Sequence, residues 1–303
     1  MIELVDWLKA EYGFTKVEFC SEAIILTDQG RKRIRSWSDS SLLDWHIEWR
    51  DHCHRTPVVL TDRMIRTKEE KPAAKWRDRW ISIHDEVDEE YPQLEHEHAW
   101  GMLIGLMIEH GIKDHHKIRP IQRERLEYEV DPNWFKGLRK DIKDQLEKYQ
   151  METSDRAKKA RAIRTKLSDV QLPVIDPIES TTQARKVYDV LLWRGTSEQA
   201  EIGYYSIRQF LIQWQKENGQ GSLYKLIQAI GQTDGFCRKQ ALLLVAECLE
   251  PYEWLNVKHT IETNESEQRI ESALNEMTEE WEEARKLVQL IGKWIDEQKK
   301  VLS

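Results

Sequence analysis

Residues 172–193, LPVIDPIESTTQARKVYDVLLW, form the stretch on which the fold prediction depends. A short apolar run ends at Asp176, a polar loop follows, and Asp189 precedes a second apolar run. An aspartate at the end of a buried strand is typical of a metal-binding site, but a turn aspartate before Pro177 gives the same pattern. The second run predicts a helix with Asp189 near its N-terminus, where the helix dipole favours a negative charge. The stretch therefore predicts a strand, a loop and a helix, and it leaves the role of Asp176 open.

The composition limits the classes of protein that fit this 303-residue chain. Its hydrophobic fraction of 40% and its 13 tryptophans provide for a sizeable core, and its length allows two domains. The formal net charge is -8 and the basic residues are scattered, so nucleic acid is not an expected partner. The sequence has neither a signal peptide nor the ~18 uncharged apolar residues of a membrane span. We therefore expect an intracellular soluble protein without a membrane partner.

The first 86 residues predict a small β-rich lobe with one amphipathic helix. The runs VEFC, AIILT, RKRIRSW, VVLT, MIRTK and WISIHDEV predict short strands, and the sequence DQG predicts a turn between two of them. A helix is predicted over 41–54, because its apolar residues recur at intervals of three and four. Ser41 and Asp44 have the spacing of a capping box at the start of this helix.

From residue 87 onward helical periodicity dominates, and we predict a helical C-terminal lobe over 87–303. A helix at 94–110 is apolar nearly all round, and Gly111 is well placed to cap its C-terminus. The last helix carries apolar residues in alternating steps of four and three between Ile270 and Ile295. Such a heptad seam needs a partner, which is either the rest of the chain or a second copy bound through residues 270–295.

The order of these elements and several of their sequences resemble the aminoglycoside phosphotransferase-like kinases. The similarity lies in AIILTDQGRKRIRSW, LLDWHIEWRDHC, DRMIRTKEEKPA, WISIHDEV, the helix at 94–110, VIDPIESTTQARKVYDVLLW and LLLVAECLEPYEWL. Within that family the chain looks most like the spore coat-associated, CotS-like group. The resemblance implies an α+β, two-lobed, protein-kinase-like fold, with the β-rich lobe at 1–86 and the helical lobe at 87–303.

The resemblance also implies positions for a nucleotide site. The family places a lysine on the returning strand of the first hairpin, where this chain has Arg35, and Glu48 would be the acid that pairs with it. The family's His-Gly-Asp loop falls on TSDRAKKARAI, which makes Asp155 the candidate catalytic aspartate. In the family an asparagine follows five residues after that aspartate, and an Ile-Asp pair comes further on. Here Ala160 replaces the asparagine, and Asp176 remains as the candidate metal ligand.

These patterns leave three candidate functions. The missing His-Gly and asparagine indicate a pseudokinase, a binding or scaffold protein of the sporulating cell. Its partner would be a spore coat component, and its location the mother-cell cytoplasm or the spore coat. The alternative is an active phosphotransferase on a small molecule or protein, which would use ATP and magnesium with Asp155, Asp176 and Arg35. The third candidate is an all-helical protein that self-associates through residues 270–295.

Three histidine-rich segments resemble metal sites in composition alone. DHCHR at 51–55 places its side chains on different sides of a helix, so they do not converge on one ion. EHEH at 95–98 and DHH at 114–116 lack the paired histidines of a helical zinc motif. The sequence also lacks the P-loop, dinucleotide-binding and α/β-hydrolase motifs. We expect no zinc site in these segments.

Overall fold

The computed structural model describes residues 2–113, 118–122 and 126–301, with side chains up to residue 298. Its contacts divide the chain into two compact units. The first unit contains Met1–Ile121, Pro173–Gly203 and Gln232–Gly235, and the second contains Gln122–Leu172, Tyr204–Gly231 and Phe236–Ser303. The strands of the described residues all lie in the first unit, whereas the second unit is helical. The division between lobes 1–86 and 87–303 stays a prediction.

An antiparallel five-stranded sheet forms the N-terminal part of the first unit. The strands of the described chain are β1 Val17–Phe19, β2 Ile24–Thr27, β3 Gly30–Trp37, β4 Val59–Thr61, β5 Ala74–Trp76, β6 Arg79–Asp85, β7 Val174–Ile175, β8 Ala184–Val187, β9 Val190–Trp193 and β10 Glu201–Ile202. The sheet has the order β1-β2-β3-β6-β5. Gly30 takes the positive φ of 90° in the turn between β2 and β3, so the predicted hairpin is confirmed. The run MIRTK, at 64–68, lies outside the strands and that prediction is wrong.

Three helices pack with the strands of the first unit, α1 Ile2–Tyr12, α2 Ser40–Cys53 and α3 Glu97–Lys113. α1 covers one face of the five-stranded sheet, because Leu8 and Tyr12 join Ile81 and Ile83 in a single apolar cluster. The hydroxyl of Tyr12 also donates to the carbonyl of Ile81 at 2.9 Å. Burial of this cluster leaves the strand residues that point to the opposite face free for other partners.

The start of α2 differs from the predicted capping box. Asp39 is the N-cap, and its Oδ1 accepts hydrogen bonds from the N–H groups of Ser41 and Leu42. Ser41 is therefore inside the first turn, because the carboxylate two residues earlier takes the free backbone donors. The helix buries two polar side chains along with its tryptophans, namely His46 and Arg50.

The run VYDVLLW forms a β-hairpin, so the helix predicted there is wrong. β8 and β9 pair antiparallel, with Val187 opposite Val190. Between them Tyr188 and Asp189 have φ values of 48° and 62°, which suit a two-residue hairpin turn. A short apolar run fits a helix and a strand equally well. In this fold the run forms a strand because it pairs in parallel with β4, as β9.

α3 packs closely against β7, the strand that precedes Asp176. A Cβ atom at Gly111 would lie 2.5 Å from the carbonyl oxygen of Val174. Gly111 is therefore required by this close approach, and it is not the predicted C-terminal cap, since α3 continues to Lys113. β7 also pairs with β10. The packing holds Asp176 inside the first unit with 0% exposure.

Five α-helices make up most of the second unit. They are α4 Lys140–Lys166, α5 Tyr205–Ile230, α6 Arg238–Leu249, α7 Trp254–Glu262 and α8 Glu267–Val301. α8 packs against α5, α6 and α7. In the described part of the chain, no helix combines the length and the apolar character needed to cross a membrane. The strands of the first unit rule out the all-helical fold of the third candidate function.

The predicted seam of α8 is buried within the second unit. Leu274, Met277 and Ile291 are all at most 2% exposed. The buried stripe does not follow the heptad throughout, since Leu287 is fully buried and Val288 is half-exposed. The seam therefore has a partner within its own unit. Dimerisation through residues 270–295 stays a prediction.

Candidate functional site

The candidate site is built around residues 194–196, which follow β9 and which we call the RGT loop. Two buried carboxylates accept hydrogen bonds from its backbone. The N–H of Gly195 donates to Oδ1 of Asp62 at 3.0 Å, and the N–H of Thr196 donates to Oδ2 of Asp176 at 2.7 Å. The hydroxyl of Thr196 donates to Oδ1 of Asp176. Both oxygens of Asp176 are thus bonded to the loop.

Two arginines bind the carbonyl groups of the RGT loop. Arg35, on β3, donates to the carbonyl of Gly195, and Arg50, on α2, donates to that of Thr196 at 2.8 Å. A Cβ atom at position 195 would lie 2.7 Å from Nη2 of Arg50 and 2.9 Å from Oδ2 of Asp176. Glycine is therefore what allows the charged groups to approach the loop from both sides.

Arg50 is 1% exposed, and each of its three nitrogens has a hydrogen-bond partner. Its Nε donates to Oδ1 of Asp62 at 2.8 Å, and its Nη1 donates to Nδ1 of His46 at 3.0 Å. Nε2 of His46 donates to the carbonyl of Glu198 at 2.9 Å. Burial and the charge of Arg50 lower the pKa of His46 to about 3. The ring is therefore neutral and accepts at Nδ1.

A chain of hydrogen bonds through the sheet fixes the position of Asp62. Nε1 of Trp37 donates to Oγ of Ser82 at 2.8 Å, and this oxygen lies 2.9 Å from Nε2 of His84. Nδ1 of His84 lies 2.6 Å from the carbonyl oxygen of Asp62. Because a tryptophan only donates and a carbonyl only accepts, the proton of His84 is on Nδ1. Burial lowers the pKa of His84 to about 4, so the ring stays neutral.

Asp62 and Asp176 are both buried, but their pKa values move in opposite directions. Burial raises the pKa of each carboxyl. At Asp62 this effect is outweighed by neighbours that include Arg50 and Arg35, so its pKa is lowered. At Asp176 burial outweighs Arg50 and the bonds from Thr196, and the pKa is raised to about 6. Asp62 is therefore the ionised partner of the two arginines.

Arg194 of the RGT loop shares one glutamate with Arg33, and Arg185 is a third arginine of this group. Arg33, on β3, binds Glu86 through two nitrogens at 2.8 and 3.0 Å. Arg194 donates to the same carboxylate at 2.7 Å. Arg185, on β8, pairs at 3.4 Å with Glu90, whose side chain is on the surface. One buried carboxylate thus serves two guanidinium groups.

These arginines line a cavity of about 290 Å³ in the first unit, which we call the arginine cavity. Its lining residues are Arg33, Arg35, Glu179, Thr182, Gln183, Arg185, Arg194, Gly195, Thr196, Ser197 and Glu198. The Nε atoms of Arg35, Arg185 and Arg194 are buried and have no hydrogen-bond partner. Four arginines therefore line the cavity, and the unpaired Nε atoms of three of them lie buried in its wall.

The structure brings the predicted nucleotide-site residues together only in part. Arg35 lines the arginine cavity, and it forms an ion pair with Asp62 at 3.4 Å. Glu48, predicted as the partner of Arg35, lies half-buried on α2. Lys32 neighbours this site in sequence, but its Nζ bonds to Asp85 at 2.7 Å. Binding of nucleotide by Arg35 and Glu48 stays a prediction.

Asp62 is one of the residues of this site that the sequence analysis missed, together with His46, Arg50 and residues 194–196. A signal for it was present, because the run VVLT ends at Asp62 just as the run LPVI ends at Asp176. In both cases a short buried strand, β4 or β7, is followed by an acid that the fold encloses. The two strand ends meet the RGT loop from different sides, which no local pattern reports.

The segment TSDRAKKARAI, predicted as a catalytic loop, lies within helix α4, so the prediction of a loop there is wrong. Asp155 is part of this helix. The segment has no glycine or proline and is rich in alanine, lysine and arginine, which favour a helix. The side chain of Asp155 is 69% exposed and lies 3.9 Å from Lys158. Asp155 belongs to the second unit and Asp176 to the first. Its catalytic role stays a prediction.

The histidine-rich segments form no metal cluster among the described residues, where no group of three or more His, Cys, Asp and Glu has the geometry to hold an ion. In DHCHR the side chains go to separate partners. Asp51 pairs with Arg63 at 2.7 Å, and His54 accepts from the N–H of Thr61 at 3.3 Å. Residues 114–116, the DHH segment, lie outside the described residues.

The donors around Asp176 do not fit a divalent cation. Magnesium is bound through carboxylates, other oxygen ligands and water. Both oxygens of Asp176 already accept from Thr196, and the positive charges of Arg50 and Arg35 act on the same carboxylate. A metal ion there would meet two guanidinium groups and would displace the bonds that hold the RGT loop. Asp176 as a metal ligand stays a prediction that requires this rearrangement.

Comparison with known proteins relates the chain to kinases through structure alone. No family model matches the sequence, and no curated protein matches it. An aminoglycoside phosphotransferase from Alicyclobacillus acidocaldarius subsp. acidocaldarius superposes with a TM-score of 0.63 at 11% identity, covering 97% of this chain and 96% of that chain.

Two further kinases superpose over most of their length. Amicoumacin kinase hAmiN, in complex with AMP-PNP, Ca²⁺ and Ami, has a TM-score of 0.51 at 9% identity, covering 93% of each chain. A microcompartment-associated aminopropanol kinase has a TM-score of 0.51 at 11% identity, covering 96% of this chain and 99% of its own. Identities this low support the fold and carry no residue roles. The chain has the α+β fold of the aminoglycoside phosphotransferase-like kinases.

Proposed function

We propose that this chain is a pseudokinase, a kinase-fold protein that binds a ligand or a partner and transfers no phosphoryl group. The observation that carries the proposal is the bonding of Asp176. Each of its oxygens accepts a hydrogen bond from Thr196, and the positive charge of Arg50 acts on the same carboxylate. Phosphoryl transfer depends on carboxylates that are free to hold magnesium and to face the acceptor hydroxyl. In this chain the buried carboxylate holds a loop.

The order of the strands supports the same proposal. In the family pattern a catalytic aspartate is followed by an asparagine five residues later and then by an Ile-Asp pair. Asp176 directly follows β7, and the residue five positions later is Thr181. β9 ends at Trp193, and Arg194 follows it. If the pattern is set on Asp176, an arginine stands where the second aspartate is expected.

The amide side chain nearest to that position is Gln183, and it is bonded to the backbone of residues 179–180 and 194. Oε1 of Gln183 accepts from the N–H groups of Glu179 at 2.7 Å and Ser180 at 3.1 Å. Nε2 of Gln183 donates to the carbonyl of Arg194 at 3.2 Å. The amide oxygen is thus occupied by two backbone donors, and it is a poor candidate for a metal ligand.

An assay of ADP release tests the absence of phosphoryl transfer. The full chain is incubated with ATP and magnesium, with and without hydroxyl-bearing acceptors such as aminoglycosides and amino alcohols. Asp176→Asn serves as the matched variant. We expect the two proteins to release ADP at the same background rate. ADP release that depends on magnesium and is lost in Asp176→Asn would contradict the proposal.

The proposed partner is a spore coat component, and this part rests on the sequence resemblance to the spore coat-associated group. The test is a strain of the source organism that lacks the gene. We expect spores with an altered coat, restored by the wild-type chain and equally by Asp176→Asn, since the proposed role does not use catalysis. Normal spores from the deletion strain would contradict a coat function.

An active phosphotransferase that uses ATP and magnesium is the second candidate. It is favoured by the fold, since the amicoumacin kinase of the same fold is in complex with AMP-PNP and Ca²⁺. It requires Thr196 to release Asp176, so that the carboxylate becomes available to a metal ion. The ADP assay separates the candidates, because the second predicts turnover that Asp176→Asn abolishes.

A further inference from the structure

We infer that the arginine cavity binds a phosphoryl oxyanion without a divalent cation. The inference deepens the proposed function, since it names the ligand class of the same site and rests on that site being a binding site. The binding groups are the guanidinium groups of Arg33, Arg35, Arg185 and Arg194. They take the place of magnesium as the positive charge that a phosphate group needs.

The charge of the cavity walls favours an anion. Four guanidinium groups line the space, against the carboxylates of Glu179 and Glu198, which are exposed at its edge. Behind the wall, Glu86 is divided between Arg33 and Arg194, and Asp62 is divided between Arg35 and Arg50. Asp62 and Glu86 do not line the cavity, whereas the guanidinium groups that pair with them do. An oxyanion in the cavity therefore meets the arginines before their carboxylate partners, in a partly desolvated space that strengthens the attraction.

The hydrogen-bonding capacity of the arginines is also incomplete. A guanidinium group has five N–H donors, and Glu86 accepts from Nε and Nη2 of Arg33 and from Nη2 of Arg194. The Nε atoms of Arg35, Arg185 and Arg194 also have no partner, but these atoms are buried in the wall. A tetrahedral oxyanion offers several acceptors to guanidinium forks that converge on it. A neutral ligand offers fewer acceptors and no charge.

The remaining lining residues suit the same ligand. The hydroxyls of Thr182 and Ser197 and the backbone around Gly195 add neutral polar groups to the wall. The volume of about 290 Å³ is at the small end of ligand pockets. The cavity thus accommodates a phosphate group with a small body, or the phosphate end of a longer molecule that extends out of it.

The wall is rigid enough to recognise a phosphate group before the ligand arrives. Arg33 is held by two bonds to Glu86, and Arg35 is held between Asp62 and the carbonyl of Gly195. Side chains that are already ordered lose little conformational entropy on binding. The site is therefore preorganised for an anion, and no metal ion is needed to bring the arginine side chains together.

Isothermal titration calorimetry of the full chain with inorganic phosphate in EDTA tests the inference. The test variant is Arg185→Gln, because Arg185 pairs with a surface glutamate and its loss leaves the buried network intact. The matched control is Arg31→Gln. Arg31 is on the same strand as Arg33 and Arg35, it carries the same charge, and it does not line the cavity.

We expect wild type to bind phosphate in EDTA and Arg185→Gln to bind roughly tenfold more weakly. Arg31→Gln should bind as wild type does, and magnesium should not tighten binding in any of the three. Arg33→Gln, checked for folding by circular dichroism, should repeat the loss. The inference is overturned if wild type does not bind phosphate, or if Arg31→Gln weakens binding as much as Arg185→Gln.

Two further titrations in EDTA identify the source of the phosphate group. Glycerol phosphate represents small phosphate monoesters, and ATP represents nucleotides. Tighter binding of either one than of inorganic phosphate supports the inference and assigns the class. Failure of this inference is distinct from failure of the proposed function, because ADP release reports catalysis whether or not the metal-free anion binds.

Discussion

Both units bury arginines beside carboxylates, and the two groups are built differently. In the second unit Arg156 and Arg208 share Glu253, at 2.6 and 3.2 Å. Each of these arginines also lies over an aromatic ring, Arg156 at 3.9 Å from the centre of Trp281 and Arg208 at 5.0 Å from that of Tyr252. The faces of these guanidinium groups are thus covered by the protein itself.

The charge balance of the two groups differs as well. In the second unit three arginines meet three glutamates, since Arg164 has two glutamates of its own. In the first unit four arginines pair with Asp62 and Glu86, and Asp176 is the third carboxylate of the network. Buried Nε atoms without a hydrogen-bond partner occur in both groups, since Arg208 has one as well. The difference is that Arg33, Arg35, Arg185 and Arg194 line a cavity, whereas the arginines that share Glu253 are covered by aromatic rings. A covered group serves packing, and the group that lines a cavity is the one that we propose binds a ligand.

The largest effects are expected when the shared carboxylates are neutralised. Asp62→Asn and Glu253→Gln each leave two buried arginines without their anion, and each should lower the free energy of unfolding by about 3–5 kcal/mol. Added phosphate should distinguish the two variants. Added phosphate should raise the free energy of unfolding of Asp62→Asn by more than it raises that of wild type, because Arg35 lines the cavity. For Glu253→Gln the increase should be no larger than for wild type. Urea denaturation with and without phosphate measures both effects.

If phosphate raised the free energy of unfolding of both variants equally, the arginine groups of the two units would not differ in their ability to bind an anion. The control is chloride at the same ionic strength, because salt screens buried and exposed charges differently.

A smaller effect is expected from adding one methyl group at the RGT loop. Gly195→Ala places a Cβ atom against Arg50 and Asp176, so it should destabilise the first unit by about 1–3 kcal/mol. Gly292→Ala, inside helix α8 of the second unit, meets no atom within 4 Å. It should stabilise the protein by about 0.5–1 kcal/mol through helix propensity. Thermal denaturation of both variants checks the pair, and a neutral Gly195→Ala would contradict the tight packing of the loop.

A third comparison concerns pH. Burial raises the pKa of Asp176 from 3.8 to about 6, so the folded state binds its proton more tightly than the unfolded state does. The contribution of Asp176 to stability therefore falls as pH rises through this interval. Against Asp176→Asn, wild type should gain on the order of 1–3 kcal/mol between pH 7 and pH 4. Asp62, whose pKa is lowered, is present in both proteins, so its own titration cancels in the difference.

Denaturation series at several pH values test this expectation. A difference between wild type and Asp176→Asn that stays constant from pH 4 to pH 7 would mean that Asp176 is ionised throughout, as Asp62 is.

The smallest effect is expected at Asp155. Its side chain is exposed and makes a long ion pair with Lys158, so Asp155→Ala should change stability by less than about 0.5 kcal/mol. Phosphate affinity and ADP background should stay at the wild-type values. Loss of a measurable phosphotransferase activity in Asp155→Ala would restore the catalytic role predicted from the sequence.

The sheet could be predicted from sequence because its signals are local. The apolar run AIILT and a turn with Gly30 at its end indicate the hairpin of β2 and β3 by themselves. VYDVLLW was misread because a short apolar run suits a helix too, and its strand identity comes from pairing with β4.

The candidate site could not be assembled from sequence for a different reason. Its carboxylates are single residues at the ends of two short strands, and they meet around Gly195, which has no sequence signature of its own. Arg50 was not singled out in the sequence, because an arginine on an amphipathic helix is usually exposed, yet this one is 1% exposed. Residue spacing reports neighbours along an element, whereas this network joins groups more than 100 positions apart, such as Asp62 and Gly195.

The most direct test of the account is a thermal shift of the full chain with ATP, in EDTA and in magnesium. A ligand at ~100 times its dissociation constant adds roughly 2.7 kcal/mol of stability, a rise of several degrees. The arginine cavity predicts the same rise in EDTA as in magnesium, and a smaller rise in Arg185→Gln. A rise that requires magnesium and disappears in Asp176→Asn would contradict the account and identify a metal-dependent kinase site.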